Sequence, residues 1–294
     1  MIDFKSIEIK DRLWIEKKLK ESKFNGCEYS FVNNFIWQKP YKIKFANIEN
    51  FYCIRSEDIN SVYAYPAGNG DIKQVIEILI NESIMKNEPF KLRGIIKENV
   101  QKLNILFPNK FNFVEERDEF DYIYEVSKLT NLSGRKLHAK RNHIARFKDN
   151  PNWSYESINK YNIDECFEMN KKWCNKYICN NDKSLNNELC AVKEAFNNFF
   201  DLGMIGGLLR KEGKVIAYTM ASVINENTLN INIEKAFSEI QGAYPMINQQ
   251  FIINECQNYK YVNREEDLGE EGLRKAKLSY VPDILLEKYT ATLK

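Results

Sequence analysis

The stretch Asn230-Ile231-Asn232-Ile233-Glu234-Lys235 alternates polar and apolar residues. On a strand, a period of two puts Asn230, Asn232 and Glu234 on one face and Ile231 and Ile233 on the other. A carboxylate on a central strand is held away from water. That raises its pKa and suits it to take a proton as a general base. Glu234, with Asn232 beside it, is therefore the catalytic candidate. The competing assignment is a buried Glu234 neutralised by Arg264 or another cation, because perturbed carboxylates serve both ends. A second cluster, Asn263-Arg264-Glu265-Glu266-Asp267, sets one cation and three carboxylates just after a predicted strand. Loops at the carboxyl ends of strands are where open α/β sheets bind ligands. Arg264 suits a carboxylate or phosphate, and Asn263 and Glu265 complete a substrate-binding set. The alternative is local: Asp267 as a helix N-cap, with Glu270 and Glu271 complementing the helix dipole. Arg274, Lys275 and Lys277 fall toward the far end of that helix, where they complement the dipole or reach a phosphate.

An anionic carrier is held most simply by a helix N-terminus, with its free N–H groups and positive dipole end. Gly242, followed by Ala243 and Tyr244, stands where a strand gives way to such a helix. Glu239-Ile240-Gln241-Gly242-Ala243 contains one glycine and an acid, so the alternative is a plain junction glycine. Gly206-Gly207 marks either a close approach or a bulge in a strand. Residues 135–148 hold Arg135, Lys136, Lys140, Arg141, Arg146 and Lys148 and no acid. Leu137, Ile144 and Phe147 give this segment an apolar stripe, which predicts an amphipathic basic helix. Lys140 and Arg141 are its carrier-binding candidates. Such a helix can touch an RNA backbone or an anionic membrane surface, or simply stand solvated between two domains.

Seven cysteines (27, 53, 166, 174, 179, 190 and 256) form no C-x-x-C, and the nearest pair is Cys174 and Cys179. An odd count without a pairing pattern reads as reduced thiols. With His138 and His143 the only histidines, neither a metal site nor a thiol-nucleophile site is predicted. The 43 basic and 41 acidic residues leave a formal charge of +2, so no general polyanion binder is implied, only a local patch. The N-terminus is charged throughout and no apolar run approaches the ~20 residues needed to span a bilayer. No transmembrane segment is expected, and the expected location is the cytoplasm.

The elements that must position these groups come in a repeated order. The first half predicts helices at 11–21 and 28–37, strands at 41–48, 51–55 and 62–66, then helix 71–86, strand 90–95, helix 97–107 and strands 111–116 and 120–129. The second predicts a strand at 153–158, helices at 163–177 and 187–202, strands at 204–210, 215–224 and 228–236, a helix opening at Gly242, strand 259–263, helix 272–278 and strand 282–293. The 294 residues suit two domains of the α/β class with mixed sheets. The domains are expected at 1–130 and 151–294, joined by the basic helix within 131–150.

Several motifs sharpen this. They are Asp121-Tyr122-Ile123-Tyr124, the run from Leu132 to Asn142, Gly203 to Gly207, Ile216-Ala217-Tyr218 and Ile233 to Ala236. Gly242 to Gln249, Asn263 to Gly269 and Gly272 to Tyr280 with Pro282 complete the set. Together they resemble a bacterial family of uncharacterised proteins similar to the C-terminal catalytic region of phosphatidylglycerol lysyltransferase. The resemblance implies two tandem GNAT (acyl-CoA N-acyltransferase-like) domains, an architecture shared with the Fem-type peptidyltransferases. It implies transfer of an aminoacyl group from charged tRNA to an amine or hydroxyl of a lipid, peptide-like or small-molecule acceptor. Within the motif around Gly242, Asn248 joins Asn263, Arg264, Glu265 and Lys277 as substrate-binding. Two alternatives stand beside this reading: an N-acetyltransferase using acetyl-CoA as cofactor, and a non-catalytic module binding an anion, RNA or a membrane surface. Occupancy of the Gly242 turn by CoA separates the first of these from the tRNA reading.

Overall fold

The computed structural model describes residues 1–57, 61–177 and 183–294; Cys179 lies outside them. The first half contains α1 (Arg12–Ser22), α2 (Phe31–Tyr41), β1 (Lys44–Ile48), β2 (Phe51–Ser56), β3 (Val62–Ala64), β4 (Ala67–Gly68), α3 (Ile72–Met85), β5 (Lys91–Ile95), α4 (Lys97–Leu106) and β6 (Phe111–Glu115). β7 (Asp121–Glu125), α5 (Val126–Asn131) and α6 (His138–Lys148) follow. The second half contains β8 (Trp153–Ser157), α7 (Ile163–Tyr177), α8 (Lys183–Asn198), β9 (Ile205–Lys211), β10 (Lys214–Asn225), β11 (Thr228–Ala236), α9 (Ala243–Glu255), β12 (Tyr261–Asn263), α10 (Glu271–Leu278), β13 (Ile284–Leu286) and β14 (Tyr289–Leu293).

Local chemistry accounts for the helix starts. The Asp71 carboxylate accepts from the Lys73 and Gln74 amides at the start of α3, and Ser30 accepts from Asn33 N at the start of α2. Ile72, Val75, Ile76, Leu79 and Ile80 of α3 then recur at helical spacing and are all buried.

Two mixed sheets result. One runs β1-β2-β3-β5-β14-β6, with β4 on β2; the other runs β13-β7-β12-β11-β10-β9-β8. They trade strands. β7, from the first half of the chain, sits between β12 and β13. β14, the last strand, sits between β5 and β6. Both exchanges cross the boundary expected between residues 130 and 151, so the sheets interlock rather than separate there. Two predicted strands change accordingly. The strand expected at 120–129 ends at Glu125, and the chain turns into α5. The one expected at 282–293 splits into β13 and β14, which serve different sheets. Hydrophobic pattern identifies a strand but not its partner, so neither change was legible in the alternation.

The interior has three apolar layers. Ile72 to Ile80 of α3 and Leu103 of α4 cover one face of the first sheet. α1, α2, α7 and α8 fill the space between the sheets, where Phe31, Phe35, Met169 and Phe196 meet Tyr52 and Tyr218. α5, α6 and α9 cover the outer face of the second sheet. Ile144 and Phe147 of α6 are buried there with Leu137, as the apolar stripe predicts. α6 is thus a packed element of the second sheet's outer layer, not a free-standing connector.

Candidate functional site

The parallel pair β11–β12 is short. Pairing runs from Thr228↔Tyr261 to Asn230↔Asn263 and then stops. Beyond that point β11 stays paired with β10 but not with β12, the chain after Asn263 turns away from it, and a gap opens in the sheet. At the mouth of the gap β11 carries a bulge: Ile233 pairs with Met220 and Ile231 with Ala221, leaving Asn232 without an opposite residue. A bulge re-aims the side chains around it. Ile231 enters the layer with α9, while Ile233 enters the layer between the sheets. The single polar face expected from strict alternation is therefore broken at Asn232.

Glu234 lines the gap with both oxygens engaged. Arg264 Nη2 donates to its Oε1 at 2.6 Å, and Asn248 Nδ2 donates to Oε2 at 3.1 Å. Of the two assignments for Glu234, this is the paired one. The Arg264 guanidinium lies 4.9 Å from the Tyr280 ring centroid, and its Nη1 is buried without a partner. Burial pulls the Arg264 pKa down, but Glu234 outweighs it and the net shift is upward.

Glu265 is the carboxylate left open. Its φ is +58°, a left-handed conformation that a side-chain-bearing residue adopts only when held there. Asn263 does the holding: its Oδ1 accepts from Glu265 N at 2.7 Å. Its Nδ2 donates to Asn25 O and to Asp121 Oδ2, each at 2.8 Å. Asn263 is fully buried and holds the Glu265 backbone. Asn230 Nδ2 donates to Glu265 Oε1 at 2.6 Å, with Asn232 Nδ2 at 3.5 Å. Burial, with Glu266 next to it, pushes the Glu265 carboxyl up to about 8. Lys277 Nζ donates to the backbone carbonyls of Glu265 and Glu266, and burial lowers its pKa.

A second ionic cluster anchors this loop from below. Lys288 Nζ donates to Asp121 Oδ1 at 2.8 Å and Glu28 Oε2 at 2.7 Å. Cys27 Sγ lies 3.0 Å from Glu266 Oε2. Asp121 opens β7 and Lys288 precedes β14, so the exchanged strands are joined here by charge. Burial pulls Lys288 down, yet Asp121, Cys27 and Glu28 more than offset it and its pKa rises. Burial raises the Cys27 thiol, reinforced by Asp121. Cys27, Glu28 and Asp121 converge closely enough to hold a cation, and the Lys288 ammonium already fills that role.

The expected carrier turn is packed shut. Gly242 has φ +82°, and a Cβ built on it would lie 2.3 Å from the His143 carbonyl oxygen of α6. The glycine is required by this close helix contact. Ala243 is buried, and its N–H is spent on Ile240 O. Pro245 has no N–H, and Met246 N bonds back to Gly242 O. Tyr244 and Pro245 line the cavity, but the turn offers little donor capacity for a pyrophosphate. Arg141 Nη1 donates to the carbonyls of Leu132 and Gly134, closing the end of α5. Lys140 does face the gap, 4.1 Å from the Tyr280 ring centroid, and burial with Arg264 nearby lowers its pKa to about 8.

Two cavities meet on this gap. One of about 570 Å³ is lined by Lys140, Asn232, Glu234, Tyr244, Arg264, Glu265, Lys277 and Tyr280 among others. The other, about 1430 Å³, extends between the sheets past Cys27, Trp37, Arg93, Glu266 and Lys288. Glu188, Asn232, Glu265, Gly272, Leu273 and Lys277 form walls of both. The structure thus brings Asn232, Glu234, Arg264, Glu265, Lys277, Lys140 and Tyr244 together. Asn263 and Asn248 stand behind them, and Gly242, Ala243 and Arg141 do not reach the cavities. Sequence reasoning missed Glu188 and assigned no role to Tyr280, Asp121 or Lys288. Tyr280 and Asp121 lay within the quoted motifs, but nothing in the spacing marked them as neighbours of Arg264 and Asn263.

The duplicated element order, the two mixed sheets and the gap beyond a short parallel pair define the tandem GNAT-like acyltransferase fold. The chain belongs to the family described as phosphatidylglycerol lysyltransferase, C-terminal, which it matches over residues 19–292. It is 40% identical to a conserved protein of unknown function from Bacteroides thetaiotaomicron, with each chain fully covered and a TM-score of 0.96. The L-PGS structure from Bacillus licheniformis is 14% identical, with 99% of this chain and 93% of that one covered and a TM-score of 0.68. FemX is 9% identical, with 98% and 97% covered and a TM-score of 0.63. An uncharacterized protein of Mycoplasmoides gallisepticum is 24% identical over 175 residues, 58% of this chain; the match spans about half (54%) of that relative's length. Family and fold together support an acyltransferase of the lysylphosphatidylglycerol-synthase and Fem type. Among the described residues, no helix is long and apolar enough to cross a membrane.

Proposed function

We propose that the protein transfers an aminoacyl group from a charged tRNA to an amine or hydroxyl acceptor inside the joined cavities. The observation that carries this reading is the meeting of two cavities on Glu265. A transfer between two substrates needs two spaces and a proton acceptor where they meet. A carboxyl with its pKa near 8 exchanges protons readily at neutral pH. The acceptor attacks the ester carbonyl while Glu265 takes its proton. The unpartnered Arg264 Nη1 stands on the same wall as a donor for developing negative charge.

Two observations favour tRNA over acyl-CoA as the donor. The Gly242 turn, where a GNAT-type pyrophosphate would sit, is closed by α6 and short of amide donors. On the outer surface of α6 and the turn before it, Arg135, Lys136, Arg146 and Lys148 are exposed. No carboxylate among the described residues pairs with them. Unpaired cations along one helix suit a phosphate backbone. The acceptor and the identity of the aminoacyl group belong to the same proposal; a lipid or peptide-like acceptor is the family's own precedent.

Filter binding with charged and uncharged tRNA, beside calorimetry with acetyl-CoA, tests the reading. Charged tRNA is expected to bind at micromolar levels with marked salt dependence, and acetyl-CoA is expected not to bind. Saturable acetyl-CoA binding without tRNA binding would replace this proposal with the N-acetyltransferase alternative.

A further inference from the structure

We propose that Glu265 and Asn232, at the junction of the two cavities, form a seat for a primary ammonium group. Glu265 Oε1 accepts from both Asn230 Nδ2 and Asn232 Nδ2, while Oε2 receives no hydrogen bond from the described residues. Because both amides turn their nitrogens to the carboxylate, Asn230 Oδ1 and Asn232 Oδ1 are left buried without a donor. Asn230 is itself 0% exposed, and Asn232 is the bulged residue that walls both cavities. Buried acceptors rarely stay unmatched.

The neighbouring cations do not supply the missing donors. Lys277 spends its Nζ on the backbone carbonyls of Glu265 and Glu266, and Arg264 is tied to Glu234. Lys288 is held by Asp121 and Glu28. Lys235 is bonded to Glu188 at 2.6 Å. The smaller cavity's spare donors are Arg264 Nη1, on a guanidinium tied to Glu234, and Lys140, which faces the Tyr280 ring, so the unmatched groups at Glu265 and Asn232 form an acceptor-rich corner. A primary ammonium carries three donors and no acceptor, which complements it; a hydroxyl brings one donor and two lone pairs, which does not.

The inference rests on the transfer reading for the source of the ammonium, either the acceptor substrate or the α-amino group of the donor. The acceptor case is an aminolysis of the ester. The ammonium gives one proton to Glu265, and the freed amine forms a C–N bond to the ester carbonyl carbon. The ester C–O bond breaks, and a second nitrogen proton leaves on the departing ribose oxygen. Glu265 returns its proton to solvent.

The full chain is titrated by calorimetry with n-butylamine, n-butanol, alaninamide and N-acetylalaninamide. The two amines are expected to bind at least ~10-fold more tightly than their uncharged counterparts. Glu265→Gln is expected to weaken amine binding by at least ~10-fold while melting no lower than the wild type. Equal binding of amine and alcohol, or amine binding untouched by Glu265→Gln, overturns the seat. Should that variant fail to fold, wild-type pH dependence decides. Glu265 faces Glu266, Asp121 and Lys277 and titrates near 8, with Glu188, Glu234, Lys140 and Arg264 sharing the cavity walls. Binding of n-butylamine, which stays an ammonium throughout, must therefore strengthen between about pH 6 and 8.5, and a flat profile overturns the proposal. Displacement of the bound amine by charged tRNA assigns the seat to the donor; retention assigns it to the acceptor. A chain that discriminates amines from alcohols but binds no charged tRNA keeps the seat and loses the transfer reading.

Discussion

Glu265 and Asp267 stand two residues apart on the same loop and meet opposite surroundings. Asp267 is 0% exposed and receives donors from Arg117, Tyr122, Arg274 and the Gly269 amide. Burial alone would raise its pKa, but the Arg274 and Tyr122 bonds and the Gly269 amide outweigh it and hold the carboxyl well below the usual range. Glu265 receives two side-chain amides on one oxygen and none on the other, so burial and Glu266 win. Both side chains are carboxylates after the same strand. What separates the two is the number of donors aimed at each. Asp267 fastens α10 to the loop through Arg274, while Glu265 keeps spare capacity toward a cavity.

Glu265→Gln should cut acyl transfer by ~10²–10⁴-fold, the usual worth of a positioned general base, with no loss of melting temperature. A loss below tenfold would move the proton acceptor elsewhere. Asp267→Asn should leave two guanidinium groups without their buried partner and cost about 3 kcal/mol, read from urea denaturation. A cost under ~1 kcal/mol would demote Asp267 to a surface pair. Gly242→Ala must place a methyl against the His143 carbonyl at a positive φ, and should cost about 2 kcal/mol without altering any acyl-CoA response. An unchanged melting temperature would reopen that turn as a phosphate site.

pH sharpens the contrast. Glu265 has its folded pKa raised, so it draws stability down as pH climbs from about 4.5 to about 8. Asp267 has its folded pKa depressed, so its contribution is present above about 3.8 and is lost as pH falls below that. Glu265→Gln should therefore gain on the wild type toward pH 8, whereas the penalty of Asp267→Asn should shrink in acid. The smallest effect is expected at the rim. Arg146→Glu with Lys148→Glu should weaken charged-tRNA binding by roughly tenfold and flatten its salt dependence, since each phosphate contact contributes about one unit of slope.

Much of the scaffold was legible because helix periodicity and strand alternation are local. The order of elements in both halves, the capping at Asp71 and the apolar stripe of α6 follow from residues near one another in the chain. The strand exchange was not legible, because Asp121 and Lys288 are 167 positions apart and nothing local pairs them. The loop 263–267 stands out in the sequence as a cluster, whereas the contacts that distinguish its members are tertiary. Asp267 does not cap α10 with its own carboxylate: Glu270 occupies the N-cap position, and Asp267 reaches the helix through Arg274. Glu234 had the spacing of a strand-borne base, but the bulge at Asn232 and the approach of Arg264 and Asn248 are tertiary events. Gly242 was legible as a helix start; that α6 would lie against it was not.

The most direct test of the account is a single-turnover reaction of the protein with charged tRNA and a primary-amine acceptor, followed as labelled amide from pH 6 to 9. The expected result is a rate that rises with an inflection near 8, and a rate at least ~10²-fold lower with no such inflection in Glu265→Gln. Equal rates for wild type and Glu265→Gln, or a wild-type profile without that inflection, would contradict it.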